Sequence, residues 1–376
     1  MLSVQRRLIE EIMKKLSLKL RKKTVQQPSS RITNETVAEH RERILAGGRR
    51  FKYPMQYARH RLVFNTIIIS FIALLLIVGI GWQQLYVAQN TGTFFYRVTK
   101  ALPLPVASVD GEPVRYNDYL MQYRFNMHYL QQKDKLNLSS VSGKQQVIYH
   151  KNQAMDKAIA YAYASKLARE NNISLTEDQI NSLIEKQRHV GDVTVSKEAY
   201  DAVILDHYDW TPDEYEHELT NQLLLQEVTY KIDQTANKKK DAVALAVKDS
   251  QADFDKIAEA QGGKGVEKVT VGTSGLVPKS NRDGGLSEVA SKLTKGQISG
   301  PIKPMAGLGK PIAGDGFYFV KLLDVNDTQL NYSFIRIPVT EFTNKLKTIK
   351  EQGKVHNYIT LPAVDTSAQG GSQIGE

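Results

Sequence analysis

The sequence predicts an α+β protein with a single apolar helix near the N-terminus, a mainly helical domain and a small domain of mixed helix and strand. Three observations support this fold class. Residues 62–81 contain no charged side chain. Residues 106–232 repeat apolar side chains at the spacing of amphipathic helices. Residues 331–338, NYSFIRIP, alternate their side chains between two faces, which is typical of a strand.

The apolar stretch LVFNTIIISFIALLLIVGIG predicts a transmembrane helix over residues 62–82. At ~1.5 Å per residue, a helix of this length crosses the ~30 Å hydrocarbon core of a bilayer. A buried core helix is the alternative, but such helices usually keep a polar stripe. We therefore favour the membrane helix.

The charges on either side of this stretch predict its orientation. Residues 1–61 hold sixteen Lys and Arg against five Glu, and the first charge after the stretch is Arg97. By the positive-inside rule, residues 1–61 form a basic cytoplasmic segment and the C-terminal domains are extracytoplasmic. No small-x-small cleavage site precedes residue 89, which predicts an uncleaved signal anchor in the cell membrane.

The basic N-terminal segment suggests lipid contact. Residues 2–23 place apolar side chains four apart among basic ones, the pattern of an amphipathic helix suited to an anionic inner leaflet. A solvated tail that only obeys the topology rule is the alternative. Residues 24–50 are polar and are expected to be disordered. Residues 83–105 are expected to be a linker whose aromatic side chains sit at the outer membrane interface.

The part after the apolar stretch is nearly neutral, with 34 Lys and Arg against 35 Asp and Glu. This balance argues against nucleic acid as a partner. The chain has no cysteine, which excludes disulfides, thiol nucleophiles and cysteine-based zinc sites. Neither a cofactor nor a metal is expected. The only candidate cluster lacks metal-ligand spacing and is interpreted as solvated surface; it comprises His207, Asp209, Glu214 and His217.

Residues 106–232 predict a domain of four or five helices. A short strand at 106–109 and an Asp110-Gly111 turn precede a helix capped by Asn117 or Asp118. A second helix is expected over about 144–170. Three further helix starts follow, marked by a capping box at Thr176 and Gln179, a cap at Ser196, and a capping box at Thr211 and Glu214 with Pro212 at the first helical position.

The order of these elements resembles the N-terminal chaperone domain of the SurA/PrsA/PpiD group of extracytoplasmic foldases. The resemblance is carried by VDGEPVRYNDY, by the helix pair that follows it, and by TEDQINSLIEKQ and YDWTPDEYEHELTNQLLLQEV. A single N-terminal membrane anchor is similar to the PpiD arrangement. The resemblance implies a chaperone that binds unfolded or nascent secreted polypeptides, with the protein translocation channel as a further candidate partner.

Residues 233–330 resemble the parvulin-type prolyl isomerase domain that follows in such foldases. The segments SKLTKGQISGPI (291–302) and GFYFVKLLDV (316–325) are similar to its closing half, with residues 303–314 as an inserted loop. The resemblance implies a peptide-binding pocket, for which the candidates are Leu286, Phe317, Tyr318 and Phe319. Tyr318 stands where the family has a histidine, and no histidine occurs between His217 and His356. We therefore predict no catalytic residue, and isomerase activity that is lost or weak.

The C-terminal segment 331–362 predicts a strand, a helix and a short strand, followed by a disordered tail at 363–376. The parvulin-like domain lacks an opening strand before residue 238. We expect the strand at 331–338 to fill that place, which would make the domain permuted relative to its family.

The expected function is that of a chaperone that holds unfolded chains in an apolar cradle. The candidate client cleft consists of Tyr119, Tyr123 and Met127, because Tyr and Met supply adaptable contact area. The alternative is that these side chains are core. Two other functions remain open: an active parvulin-type isomerase, and a structural or signalling membrane protein that uses its basic segment to bind a cytoplasmic partner.

Overall fold

The structure is a computed structural model, and it describes residues 33–52, 54–190, 193–248, 252–304 and 315–363. The chain divides into two compact units, Met1–Gly79 and Ile80–Glu376. The predicted amphipathic helix at 2–23 lies outside the described residues, as do most of the predicted loop at 303–314 and all but the first residue of the tail at 363–376.

The first unit contains helix α1 (Asn34–Lys52) and most of helix α2 (Pro54–Trp82). The prediction of disorder over residues 24–50 is wrong from residue 34 onward. The reason is a local cap: the Thr33 backbone N–H donates to Thr36 Oγ1 at 2.9 Å, and Thr36 Oγ1 donates to the Thr33 carbonyl at 2.8 Å. These bonds satisfy backbone groups that a helix start otherwise leaves unpaired.

Within the described residues, one helix is long and apolar enough to cross a membrane, by length and composition, and it runs from His60 to Val87. Its large apolar side chains from Leu62 to Ile80 are exposed, including Ile77 at 68 %.

The second unit begins with the segment predicted to be a linker, and that prediction is wrong. A π-helical turn (Gln83–Val87) and helix α3 (Thr93–Ala101) occupy most of residues 83–105. Leu85 is 2 % exposed and Tyr96 is 7 % exposed, because both side chains pack into the core of the helical part. The Tyr116 hydroxyl also donates to the Leu85 carbonyl at 2.6 Å.

The helical part of this unit starts with a β-hairpin. Its Asp110-Gly111 turn has positive φ at both residues, 47° and 82°, which is the geometry that favours Asp-Gly in a two-residue hairpin turn. The elements are β1 (Pro105–Val109), β2 (Glu112–Arg115), α4 (Tyr116–Gln132), α5 (Val141–Glu170), α6 (Glu177–Arg188), the short hairpin β3 (His189–Val190) and β4 (Val193–Thr194), α7 (Lys197–Tyr208) and α8 (Pro212–Ile232).

The helix starts agree with the predicted caps in all but one case. Both capping boxes are present, at Thr176 and Thr211, and the Ser196 side chain caps α7. Helix α4, however, begins at Tyr116 without a side-chain cap, so neither Asn117 nor Asp118 caps it.

The sheet part follows α8. Its helices are α9 (Gln234–Ala246), α10 (Phe254–Gln261) and α11 (Leu286–Ala290), and its strands are β5 (Thr270–Thr273), β6 (Val277–Pro278), β7 (Gly316–Val325) and β8 (Gln329–Pro338). Strand β8 is central: it pairs antiparallel with β7 on one edge and with β5 and β6 on the other. The segment predicted as the missing strand, 331–338, therefore lies inside this sheet.

The last two elements leave the sheet and return to the helical part. They are α12 (Glu341–Glu351) and β9 (Val355–Asn357). Strand β9 pairs antiparallel with β1, with Ala107 opposite Asn357, and Phe342 of α12 packs against Tyr163 with ring centroids 5.6 Å apart. The prediction that residues 331–362 form one segment is therefore wrong. The strand at 331–338 belongs to the sheet, whereas the apolar faces of α12 and β9 complete the helical core. The sheet part is inserted between α8 and α12.

One buried carboxylate joins the two parts at this insertion. Asp233 is 4 % exposed, and its Oδ1 accepts from the Ala236 N–H at 2.8 Å, which caps α9. Its Oδ2 accepts from the N–H groups of Thr340 at 2.8 Å and Glu341 at 3.2 Å, at the start of α12. A single side chain therefore caps the helix that enters the sheet part and the helix that leaves it.

Candidate functional site

An open cleft of about 350 Å³ lies along one face of α4, which is within the size range of small-ligand sites. Two of the predicted client-cleft residues, Tyr123 and Met127, line it, and Gln131 and Asp209 are exposed at its rim. The full lining is Thr91, Tyr123, Arg124, Met127, His128, Gln131, Leu138 and Asp209.

The third predicted residue, Tyr119, does not line this cleft. It is 1 % exposed, and its ring packs between those of Tyr116 at 5.9 Å and Tyr123 at 6.2 Å. Tyr123, one helical turn further along the same face, belongs to the same buried cluster but also lines the cleft. For Tyr119, the core alternative is therefore correct.

The polar end of the cleft is held by Arg124, which the sequence analysis missed. Its guanidinium donates to the Thr91 carbonyl at 3.1 Å and to Asp209 Oδ2 at 3.3 Å. It also lies over the Tyr96 ring, 4.9 Å from the centroid, a cation–π contact. These contacts fix one wall, whereas Met127 and Leu138 supply an apolar wall that can adapt to different side chains.

Leu138 reaches the cleft from the loop between α4 and α5, and close packing positions this loop. A Cβ on Gly143 would lie 2.1 Å from the Asn137 carbonyl oxygen, so only glycine allows the first turn of α5 to approach the loop. The Ser140 side chain caps the same turn. No periodic pattern marks a loop leucine, which is why the sequence did not identify it.

A buried polar network of the helical part is centred on Glu218 of α8, which is 1 % exposed. Its carboxylate accepts from the Tyr161 hydroxyl and pairs with the Lys157 ammonium, both at 2.7 Å. The side-chain amides of Gln122 and Gln222 also donate to it. Burial raises the pKa of the Tyr161 phenol, which keeps it protonated as a donor. The network links α4, α5 and α8.

A second carboxylate of α8, Glu214, is also buried. It accepts from the Thr211 N–H at 2.8 Å in the capping box and from the Tyr96 hydroxyl at 2.7 Å. Burial alone would raise the Glu214 pKa, but these hydrogen bonds and the charge of Lys100 outweigh burial and lower the pKa below its ordinary value of 4.5. The interpretation of Glu214 as solvated surface is therefore wrong.

We expect Glu214 to make stability depend on pH. Because its pKa is lower in the folded state than in the unfolded state, its stabilising effect is fully present above about pH 4.5 and is lost as the pH falls through the folded pKa. Thermal unfolding of the native protein and of Glu214→Gln should therefore differ most near neutral pH. The difference should shrink below about pH 4. A difference that stays constant down to pH 3 would contradict this assignment.

The other members of the proposed surface cluster are dispersed. His217 Nε2 lies 2.7 Å from Asp118 Oδ1, and the His207 ring packs edge-on against Tyr208. Asp209 pairs with Arg124 at the cleft. Among the described residues, no group of three His, Cys, Asp or Glu side chains could hold a metal ion.

The four residues predicted to form the parvulin-like pocket lie on opposite faces of the sheet. Tyr318 and Leu286 pack on the face covered by α11, whereas Phe317 and Phe319 pack on the face covered by α9 and α10. Successive side chains of a strand point to opposite faces, so neighbours in β7 cannot line one pocket. All four are no more than 4 % exposed. Grouping them into a single site is therefore incorrect.

The Tyr318 face carries a cluster of aromatic and charged groups. The Tyr318 hydroxyl donates to Asp315 Oδ1 at 2.6 Å, and Arg336 Nε donates to the same oxygen at 3.2 Å. The Phe334 ring lies 5.6 Å from the Tyr318 ring and packs across Gly272, where a Cβ would come within 2.5 Å of it. Burial and the Asp315 hydrogen bond raise the pKa of the Tyr318 phenol, which stays neutral.

The second unit thus contains a mainly helical domain with an open cleft, which has Met127 and Leu138 on its apolar side and Arg124 at its polar end. Residues 55–229 match the family model of the SurA-like N-terminal domain. This match supports a chaperone of the SurA/PpiD type and suggests a periplasmic chaperone-type function. It includes the apolar helix and the cleft, and it ends before the sheet part. No match was found among curated proteins or among solved structures.

Proposed function

We propose that this protein is a membrane-anchored extracytoplasmic chaperone that holds unfolded secreted or membrane polypeptides, with isomerase activity lost or weak. The observation that supports this function best is the cleft on α4, which lies within the region similar to the SurA-like domain. Its clients would be unfolded or nascent chains that leave the membrane, and the translocation channel is a candidate neighbour. Nucleic acid is not among the proposed partners.

The anchor would be the apolar helix His60–Val87, in contact with membrane lipids. The excess of Lys and Arg before residue 62 favours a cytoplasmic N-terminus, with Ile80–Glu376 on the far side. Protease added outside intact cells should then degrade the second unit and spare the basic segment. Protection of the second unit would refute the topology.

The mechanism would be reversible holding. An extended client would place an apolar side chain against Met127 and Leu138 and a polar group near Arg124 and Gln131, all of which line the cleft. A cleft of about 350 Å³ takes few side chains, so each contact is weak and release is fast. Tethering to the membrane compensates by raising the local concentration of chaperone where clients emerge.

Substituting the loop leucine of the cleft tests this mechanism. Leu138→Asp places a charge in the apolar wall, and we expect about tenfold more protein to be required to suppress aggregation of a model client, which corresponds to ~1.4 kcal/mol of lost contact. The measurement is light scattering of the client with full-length protein in detergent micelles. Leu138 is only partly buried, so the fold should persist.

A matched control uses an exposed apolar residue away from the cleft. Val203 of α7 is 60 % exposed and is not part of the lining, so Val203→Asp should suppress aggregation as the native protein does. Equal loss in both variants would mean that the cleft is not the client site. No suppression by the native protein would instead favour a structural or signalling role for the chain.

The weak-isomerase part of the proposal follows from the Tyr318 face. Prolyl isomerisation crosses a barrier of ~18–20 kcal/mol and requires a pocket that favours the twisted amide. On this face the side chains of Tyr318 and Leu286 are buried, and the Tyr318 hydroxyl is already bonded to Asp315. These contacts leave little room for a proline ring. A working isomerase is the alternative function.

Proline-limited refolding of a model substrate distinguishes the two. We expect full-length protein in micelles to accelerate the slow phase by less than about twofold, because the hydroxyl of Tyr318, which stands where the family has a histidine, is already bonded to Asp315. A much larger acceleration that Tyr318→Phe abolishes would establish the enzyme. A fragment starting at residue 100 would be unsuitable, since it lacks Leu85 and Tyr96 of the helical core.

A further inference from the structure

The second unit carries an exposed aromatic surface where the apolar helix ends. Trp82, the last residue of α2, is 59 % exposed, and Val87 is 67 % exposed. The ring of Trp82 stacks on that of Tyr86, with centroids 4.4 Å apart and planes 23° from parallel. Exposed apolar side chains that adjoin one another in this way mark a contact surface.

The C-terminal end of the chain contributes to the same surface. The Tyr86 hydroxyl donates to the Pro105 carbonyl at 2.8 Å, and the Tyr358 N–H donates to the carbonyl of the next residue, Val106, at 2.9 Å. The Tyr86 phenol and the Tyr358 backbone are therefore bonded to neighbouring residues of β1. Nearby, Gln89 Nε2 donates to the Thr360 carbonyl at 2.7 Å. Tyr358 is 46 % exposed.

The two chain segments that meet here also lack formal charge: no Lys, Arg, Asp or Glu occurs in residues 62–96 or in residues 355–364. Two exposed segments without charge suit a partner that does not pair ions.

We propose that Trp82, Tyr86, Val87 and Tyr358 form a membrane-contact patch that rests in the interfacial layer of the bilayer and holds the folded unit against the lipid surface. The inference rests on the proposed membrane anchor. Trp82 and Val87 are part of the apolar helix, so chain continuity alone brings the patch to the edge of the hydrocarbon. Trp and Tyr are the side chains that concentrate at this depth, because each combines an apolar ring with a polar tip.

Tyr358 provides the decisive test, because it is far from the apolar helix in sequence. The chain has two tryptophans, and Trp210 is buried at 3 % exposure. In full-length Trp82→Phe protein reconstituted into phosphatidylcholine vesicles, Trp210 is therefore the only native indole. Tyr358→Trp in this background adds a probe within the patch. The control is Val266→Trp in the same background, since Val266 is 78 % exposed in the sheet part and outside the patch.

Lipids brominated near the headgroup quench indoles at the interface. We expect them to quench the Tyr358→Trp probe by about twofold or more relative to the Val266→Trp control, and more strongly than lipids brominated near the chain ends do. Equal quenching of the two probes, with both accessible to aqueous acrylamide, would overturn the inference. So would protection of Tyr358→Trp from both lipid and acrylamide, which would indicate a protein partner.

The native protein separates this inference from the anchor on which it depends. Its Trp82 should be quenched by brominated lipid, and the loss of that signal in Trp82→Phe identifies the residue. If Trp82 is not quenched, the membrane anchor fails and the patch with it. If Trp82 is quenched and the Tyr358→Trp probe is not, the anchor stands and only the patch is rejected.

Discussion

Replacing Asp233 with alanine should lower the free energy of unfolding by about 3 kcal/mol, from the loss of two helix caps and the exposure of buried N–H groups without partners. The carboxylate caps α9 through Ala236 and α12 through Thr340 and Glu341. Water cannot easily replace it, because Asp233 is 4 % exposed. Urea unfolding of the full chain in detergent micelles, followed by near-ultraviolet circular dichroism, measures the change.

Two variants control this prediction. Asp233→Asn keeps one carbonyl acceptor and should lose about half as much, because it can cap only one of the two helices. Asp253→Ala removes the cap of α10, where the side chain is 46 % exposed and serves one helix only, so we expect a loss of about 1 kcal/mol. Equal losses for Asp233→Ala and Asp253→Ala would mean that capping two helices contributes no more to stability than capping one.

Replacing Glu218 with alanine should cost about 3 kcal/mol, the lower end of the range for breaking a buried ion pair. The substitution leaves the buried Tyr161 hydroxyl and two amide groups without an acceptor. The cost stays at the lower end because Lys157 is 37 % exposed and can turn toward water. The same unfolding measurement applies.

A double substitution separates the charge from the packing. Glu218→Met with Lys157→Met removes both ions and fills their space, and we expect it to recover at least 1 kcal/mol of the loss caused by Glu218→Ala. If the double variant is less stable than Glu218→Ala, then the unpaired charge of Lys157 is not what makes the loss of Glu218 costly.

Local sequence signals predicted much of the helical part. The capping boxes at Thr176 and Thr211, the cap at Ser196 and the Asp110-Gly111 turn are all present in the structure. Each depends on residues within a few positions of one another, so the sequence contains all the information needed. The strand at 331–338 was also located from its alternation, which agrees with the two faces of β8.

The errors concern features that depend on distant parts of the chain. Leu85 and Tyr96 are apolar residues near a predicted membrane helix, and only the folded structure shows that they pack into the helical core. The pairing of β9 with β1 joins residues about 250 positions apart, which no local pattern reveals. Tyr123 and Met127, two of the candidate cleft residues, line the cleft. The roles of Arg124 and Leu138 could not be predicted, because they depend on the folded positions of Asp209 and of the loop between α4 and α5.

One error could have been avoided from the sequence alone. Phe317, Tyr318 and Phe319 are consecutive in a predicted strand, and strand alternation requires the middle residue to face away from its neighbours. The structure places them in two separate clusters accordingly. The missing histidines are a sequence fact, but the bond between Tyr318 and Asp315 depends on the fold.

The pairing of β9 with β1 affects when the protein can finish folding during its own synthesis. Residues 107 and 357 are made far apart in time: at typical ribosome speeds, roughly 10–50 s separate them. Until residues 341–357 emerge, the edge of β1 and the apolar surface under α12 stay uncovered. A newly made molecule would therefore pass through a long interval in which its own apolar surface is open to aggregation.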